Sequence, residues 1–196
     1  MVTLRLSQEP AADAFLAADP LALLIGLMLD QQFPMERAFG SPYVLAQRLG
    51  LQPDAGGRLD AAAIAAANPD ELGVVFAGPP ALHRFPGAMA GRVQTLCRII
   101  RDDYDNDAAS LWQTAANGKE LLDRLKALPG FGDQKARIFV ALLGKQLGVQ
   151  PDGWREAAGA YGEEGSTRSV ADVTSVETLN QVREYKRAAK AAQKGG

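Results

Sequence analysis

The stretch LKALPGFGDQKARIFVALL, Leu125 to Leu143, breaks a helical pattern with Pro129, Gly130 and Gly132 and then resumes it at once. Before the break, leucines recur at helical spacing through GKELLDRLKAL, and after it apolar residues recur in the same way through QKARIFVALLGKQLG. A proline followed by two glycines ends one helix and frees the backbone for a narrow turn. The stretch therefore predicts two helices that pack as a hairpin.

The rest of the chain is also patterned as helices. PLALLIGLMLDQQ, Pro20 to Gln32, follows the capping residue Asp19 and is apolar on all sides, which predicts a central buried helix. The pattern resumes after Pro34, and Pro42 is expected to interrupt it. No segment alternates as a β-strand does and no internal repeat is present, so we predict an all-α fold. Further helical patterns cover residues 60–67, 70–76, 88–104 and 176–192.

Composition limits the classes of protein and of site. The 196 residues suffice for one sizeable core or two small lobes, and 47% hydrophobic with 22% charged residues is typical of soluble globular proteins. No run approaches the ~18 apolar residues of a membrane span and the N-terminal residues do not resemble an export signal, so we expect a cytoplasmic protein with no membrane partner. A single cysteine, Cys97, and a single histidine, His83, indicate no metal site, no iron–sulfur cluster and no internal disulfide. The net charge of -2 leaves a polyanionic partner open, because phosphate contacts depend on where the cations lie.

The hairpin turn offers backbone donors to an anion. Amides around Gly130, Gly132 and Gln134 can point outward at the start of the second helix, where the helix dipole attracts negative charge. A nucleic-acid phosphate fits, since this contact needs no base, and Lys135 is close in sequence. The alternative is an ordinary helical hairpin with Asp133 as the cap of the second helix.

LPGFGDQKA resembles the helix-hairpin-helix signature of the HhH-GPD superfamily of base-excision repair DNA glycosylases, in its branch without an iron–sulfur cluster. In that family an aspartate stands 24 positions after the leucine of the turn motif, and Asp152 stands at that distance from Leu128. LLIGLMLDQQ and FPGAMAGRVQTLCRII resemble further family segments, so the likeness covers approximately residues 20–154. It implies a helical barrel lobe, 20–147, with the helix-hairpin-helix at about 118–147, and a second helical lobe, 1–19 plus 148–196, with the active site in the cleft between them.

The resemblance also implies roles for individual residues. Asp152 would be the catalytic carboxylate, stabilising the positive charge that builds on the deoxyribose as the base departs and orienting or deprotonating a water. A DNA phosphate would be held by Gly130, Gly132, Gln134 and Lys135. The alternative for Asp152 is an ordinary turn, because PDG is a common turn sequence.

Other residues would serve the flipped nucleotide. Gln32, with Gln31 and Phe33 beside it, would fill the gap that the extruded nucleotide leaves, and Trp154 would border the base pocket. Polar capping at a helix end remains open for the glutamines, and a core position for the tryptophan. His83 and Arg84 could touch the strand opposite the damaged base, and the alternative for His83 is a surface or capping residue.

Two positions narrow the implied activity. The lyase branch has a lysine where this chain has Gln134, and the adenine-mismatch branch has a glutamate where it has Gly26. We therefore expect a monomer that hydrolyses the N-glycosidic bond of a damaged or deaminated base in DNA, without lyase activity or a cofactor. Alternatives are a non-catalytic DNA-binding module on the same scaffold, if Pro151 misdirects Asp152, and a helical protein-interaction domain with no DNA role.

Cations after residue 150 could add a phosphate-facing surface to the second lobe. A solvated helical face is the alternative for the last four of them. They are Arg155, Arg168, Arg183, Lys186, Arg187, Lys190 and Lys194.

Overall fold

A computed structural model describes residues 2–194 of the chain. Within that range every regular element is helical and no strand is formed, which confirms the all-α prediction. Three short 3₁₀ segments, at Pro53–Ala55, Gly159–Gly162 and Val170–Asp172, accompany the α-helices. The α-helices are α1 (Pro10–Ala18), α2 (Pro20–Leu29), α3 (Met35–Arg48), α4 (Ala61–Ala66), α5 (Pro69–Ala77), α6 (Pro86–Asp103), α7 (Ser110–Gln113), α8 (Gly118–Lys126), α9 (Asp133–Gln146), α10 (Trp154–Ala158) and α11 (Val176–Lys194).

The chain forms two compact units. The first comprises Thr3–Thr114 and the turn Ala127–Phe131, and the second comprises Val2, Ala115–Lys126 and the described residues from Gly132 onward. This division differs from the predicted lobes, because α8 and α9 pack with α10 inside the second unit. Three residues of the predicted second lobe lie outside the described range. They are Met1, Gly195 and Gly196.

Helix α2 is the centre of the first unit. Its residues Leu21 to Leu29 are all buried, and it packs against α1, α3 and α6. Asp19 caps it, since one carboxylate oxygen accepts the Ala22 N–H at 3.0 Å while the other accepts the Leu59 N–H at 2.8 Å. Burial raises the pKa of Asp19, and the hydrogen bonds from the backbone act in the opposite direction. The predicted cap and the predicted buried helix are both confirmed, although α2 ends at Leu29 and not at Gln32.

Helix α3 runs through Gly40 and Pro42 without a break, so the predicted interruption is wrong. Pro42 has no N–H to donate, which removes one backbone hydrogen bond from the helix. The Ser41 hydroxyl lies 2.8 Å from the carbonyl oxygens of both Arg37 and Leu82 and ties this turn of the helix to a neighbouring loop. The apolar face of α3 is buried against α1 and α2, and this packing outweighs the lost bond.

Helices α1 and α2 meet at Asp19 with a bend of 117°. Within residues 2–194 no single helix is both long and apolar enough to cross a membrane, and these two reach that length and composition only as a bent pair.

Each unit buries one tryptophan. Trp112, in α7, is 5% exposed in the first unit, and Trp154, in α10, is 8% exposed in the second. Cys97 lies on the buried face of α6 and is fully inaccessible, as a core residue is.

The thiol of Cys97 should be inert in the native protein. Burial raises its pKa to about 12, so the nucleophilic thiolate is scarce at mildly alkaline pH and no reagent reaches it. We expect no reaction with Ellman's reagent under native conditions and release of one equivalent of thionitrobenzoate after denaturation in guanidinium. Rapid labelling of the native chain would contradict the buried position.

Candidate nucleic-acid interface

The turn between α8 and α9 is built around two glycines that flank Phe131. Gly130 has a φ of +79°, in the left-handed region that glycine adopts without a steric penalty. Gly132 is the N-cap of α9 in an extended conformation, and as a glycine it has no side chain with which to cap the first helical amides. Gly132 and Gln134 are exposed. The first turn of α9 thus presents positively polarised backbone groups at an accessible surface.

Asp133 does not cap α9, contrary to the alternative that the sequence left open. Its carboxylate lies 2.7 Å from Arg137 Nε and 3.3 Å from Lys126 Nζ. The hydrogen bond from Arg137, followed by that from Lys126, lowers the pKa of Asp133. Two cations therefore balance the one carboxylate beside the turn, and its repulsion of a phosphate is reduced.

Arg92, in α6, lies against two of the predicted DNA-contacting segments within the first unit. Its Nη1 donates to the Gln31 side-chain oxygen at 3.1 Å. A Cβ built on Gly130 would lie 3.0 Å from Arg92 Cδ, so the arginine stem rests directly on the turn. The structure thereby brings Gln31 and Gly130 to one cation. Sequence reasoning missed Arg92, because the helical spacing of α6 marks which face is buried but not which loops that helix meets.

The segment Gln31–Phe33 is a bend that follows α2. Gln32 has a φ of +52°, which is uncommon for a residue other than glycine, and its side chain is exposed. The Phe33 ring is partly buried, with the Arg37 guanidinium 4.8 Å from its centroid. A non-glycine residue held in this conformation at an exposed position is a feature often found at functional sites.

His83 contacts the bend through the Gln31 carbonyl and the Phe33 ring. Its Nδ1 accepts the Phe85 N–H at 3.0 Å, so in the neutral ring Nε2 carries the proton and donates to the Gln31 carbonyl at 2.9 Å. The ring is 1% exposed and lies 4.9 Å from the Phe33 ring, centroid to centroid. The expectation that His83 could touch a DNA strand is therefore wrong, because no part of the ring is accessible.

A close backbone contact with Gly118 fixes the position of Asp152. The Asp152 carbonyl accepts the Gly118 N–H at 2.7 Å. A Cβ built on Gly118 would lie 2.6 Å from backbone atoms of Gly153 and Trp154, so only glycine fits at the start of α8. The Asp152 side chain is exposed, and its carboxylate forms no ion pair with any residue in the 2–194 range. The turn therefore presents an unpaired carboxylate to solvent.

Asp152 lines an open depression of about 600 Å³ in the second unit. Glu156, Lys126 and Arg137 line the same depression. Along α8, Gly118 and Lys126 are separated by roughly 12 Å. The depression thus contains both the unpaired carboxylate of Asp152 and the two cations that pair with Asp133.

Trp154 is a core residue of the second unit. Its ring packs directly on Gly144, where a Cβ would collide with it, and the Arg155 guanidinium lies 4.5 Å from its centroid. At 8% exposed, the ring offers no open face on which a base could stack. Trp154 therefore takes the core position that the sequence left open as the alternative to a base pocket.

The positions that distinguish branches of the resembled family are occupied as follows. The Gln134 side chain donates to the Tyr161 hydroxyl at 2.9 Å, and the adjacent Lys135 is partly buried. A Cβ built on Gly26 would lie 2.8 Å from the Phe39 ring, so the buried helix α2 has no space for a glutamate there. Across residues 2–194, no group of three or more His, Cys, Asp and Glu side chains could hold a metal ion.

The pKa of Asp133 should depend on Arg137. Since Arg137 is the largest cause of the lowering, Arg137→Gln should raise this pKa towards its ordinary 3.8. A carboxylate whose pKa is lowered in the folded protein stabilises the fold at every pH above the pKa of the same group in the unfolded chain. This contribution is lost as the pH falls through the lower pKa of the folded state. Carboxyl NMR titration measures the change, and Arg124→Gln, which removes the partner of Glu120, should leave Asp133 unaltered. Equal Asp133 values in wild type and Arg137→Gln would exclude this pairing.

Substitution of Gly118 should destabilise the second unit. The methyl group of Gly118→Ala would meet backbone atoms at 2.6 Å, and neither segment can yield without breaking the bond to Asp152. We expect a loss of about 1–3 kcal/mol in the free energy of unfolding, measured by urea denaturation. Gly73→Ala is the matched control, because a Cβ there meets nothing within 4 Å and alanine favours the helix. A Gly118→Ala protein as stable as wild type would contradict the close approach.

No protein-family model, no curated protein and no solved structure matches this chain.

Proposed function

We propose that the protein is a monofunctional DNA glycosylase of the helix-hairpin-helix type, which hydrolyses the N-glycosidic bond of a damaged or deaminated base flipped out of DNA. The observation that carries the proposal is the position of Arg92 against both Gly130 and Gln31. The resembled motifs assign these two residues to DNA contacts on separate segments, and one cation joins them. Convergence of this kind is not required by an ordinary helical hairpin.

The hairpin turn holds a phosphate in this proposal. Left-handed Gly130 and the start of α9 at Gly132 supply backbone N–H groups, and Lys135 follows in the same helical turn. Asp133 pairs with Arg137 and Lys126, which reduces its repulsion of an anion at this site. Contacts to a phosphate carry no base information, which suits a protein that must scan DNA before it meets a damaged base.

In this proposal a side chain of the bend Gln31–Phe33 fills the gap in the DNA base stack that the extruded nucleotide leaves. Extrusion of a nucleotide costs a few kcal/mol, and a side chain in the vacated space offsets part of this cost. Gln32 is exposed on a left-handed backbone, while the bend beneath it is held by His83 and Phe33. A rigid support with an exposed tip is what such an insertion requires.

Asp152 performs the chemistry. Departure of the base builds positive charge at the sugar, and an ionised carboxylate close to the anomeric carbon stabilises that charge and orients or deprotonates the attacking water. The carboxylate is exposed and unpaired, so it needs to give up no ion pair within the described chain when substrate enters. Gln134 stands where the lyase branch has its Schiff-base lysine and is bonded to Tyr161, so hydrolysis occurs without strand cleavage.

A non-catalytic DNA-binding module is the second candidate. It is favoured by the open setting of Asp152, which follows Pro151 and precedes a left-handed Gly153 at an exposed turn. A carboxylate in such a setting is not enclosed by the apolar walls that exclude water from many active sites. In this case the hairpin turn and the Gln31–Phe33 bend hold damaged DNA, and Asp152 is a structural residue of the turn that precedes α10.

Replacement of Asp152 separates the two candidates. Oligonucleotides bearing uracil, alkylated purines or oxidised bases are incubated with protein, and abasic sites are revealed by alkali cleavage. We expect wild type to produce alkali-dependent breaks on one of these substrates, and Asp152→Asn to lower the rate by about 10²-fold or more while retaining DNA affinity. Glu156→Gln, a neutralised carboxylate in the same depression, is the matched control and should keep the wild-type rate.

The outcomes are distinct. If wild type releases no base from any substrate yet binds damaged DNA as tightly as Asp152→Asn, the binding module is correct and the glycosylase is not. If Asp152→Asn retains the full rate, Asp152 is not the catalytic carboxylate. Breaks that appear without alkali would contradict the assignment of simple hydrolysis.

A further inference from the structure

The last turns of α11 carry their cations on one face. At about 100° per residue, four cations of this helix fall within a sector of roughly 100°. We call these four residues the basic stripe, and Arg183 lies on the same face one turn earlier. The basic stripe consists of Lys186, Arg187, Lys190 and Lys194.

The basic stripe is exposed and unpaired. All four side chains are accessible, and none of them forms an ion pair with another residue of the described chain. The sequence from Arg183 to Lys194 contains a single acidic residue, Glu184, which lies about 110° away from the centre of the stripe. Lys145, another cation of the second unit, differs from the stripe residues because it pairs with Asp172 at 2.6 Å.

Local helix energetics do not account for the stripe. Lys186, Lys190 and Lys194 follow one another at i,i+4 spacing, where like charges destabilise a helix. The helix dipole favours cations only within the last turn, which covers Lys194 but not Lys186 or Arg187. A polyanion along this face would replace the repulsion by attraction.

Packing does not account for the stripe either. Leu179 and Val182 are the buried residues of α11, and both precede Arg183. Leu179 and Val182 anchor the first half of the helix near the 3₁₀ segment Val170–Asp172, and the half that carries the stripe has no buried side chain. The stripe is therefore a surface that the fold of the second unit leaves open.

The opposite face distinguishes between two polyanionic partners. A helix that lies on an anionic membrane needs large apolar side chains on the face opposite its cations. Here that face carries Tyr185, Ala188 and Ala192, and the tyrosine ring already lies near the Arg168 guanidinium, at 5.8 Å. From Lys186 to Lys194 the stripe spans roughly 12 Å, along which duplex DNA carries about seven phosphate charges. Charge complementarity without an apolar face fits DNA.

We infer that the basic stripe of α11 is a second, sequence-independent DNA-phosphate contact, additional to the hairpin turn. The inference rests on the proposed function only in taking DNA as the partner. It does not depend on catalysis by Asp152. Its role is to extend the electrostatic footprint on undamaged DNA.

Salt dependence of DNA binding tests the inference. Affinity of the full chain for an undamaged duplex is measured across a range of salt concentrations, and the slope of log K against log salt reports the number of phosphate contacts. Replacing all four stripe residues by glutamine should lower the magnitude of the slope by up to about 3.6, which is four contacts at 0.9 each. Circular dichroism checks that the helix persists.

A charge-preserving variant is the matched control. Lys186→Ala and Lys190→Ala, combined with Ala188→Lys and Ala192→Lys, keep the net charge and move two cations to the opposite face. If DNA contacts the face that carries the stripe, this variant loses two phosphate contacts, and the magnitude of the slope should fall by about 1.8. Lys186→Arg with Lys190→Arg should keep the wild-type slope.

The results separate the two proposals. A glutamine variant with the wild-type slope, or a relocated variant that binds like wild type, contradicts the DNA contact of the basic stripe. Base release by the same proteins would still support the glycosylase. A lowered slope in a protein that releases no base supports the stripe and counts against the glycosylase. Binding to vesicles of phosphatidylserine without binding to duplex DNA overturns the inference in favour of a membrane surface.

Discussion

The contact between Gly118 and the turn at Asp152 is the constraint on which the second unit depends. Two backbones meet there at a distance that admits no side chain, and a hydrogen bond of 2.7 Å joins them. This contact sets where α8 begins and holds the turn that leads into α10, so Trp154 can pack on Gly144. The exposed carboxylate of Asp152 is thereby carried on a fixed backbone, which is the usual arrangement of functional side chains on loops that a scaffold holds.

Much of the fold could be predicted from local signals. Asp19 was identified as a cap by residue type and position, and its carboxylate accepts a hydrogen bond from the Ala22 amide in the first turn of α2. The burial of α2 follows from its all-apolar surface. Pro42 shows the limit of such signals, because the local preference to end a helix was outweighed by burial of a face that only tertiary packing supplies.

The site was less predictable, for a physical reason. The sequence indicates which backbone turns are glycine-dependent, so the conformation at Gly130 was expected. It does not indicate which long side chains reach a turn from another element, and so the partners of Asp133 and the position of Arg92 against Gln31 and Gly130 were not foreseen. Trp154 illustrates the same limit. The sequence pattern of an aromatic residue beside a candidate catalytic group is the same whether its ring lines a pocket or, as here, is buried in a core.

The distribution of the two tryptophans has an optical consequence. Trp112 is buried in one compact unit and Trp154 in the other, and the chain contains no third tryptophan. Intrinsic fluorescence is therefore the sum of two emitters in separate hydrophobic environments. Conversion of either indole to phenylalanine would leave a chain whose emission reports on a single unit, and the two melting profiles would reveal whether these cores lose their structure cooperatively or one at a time.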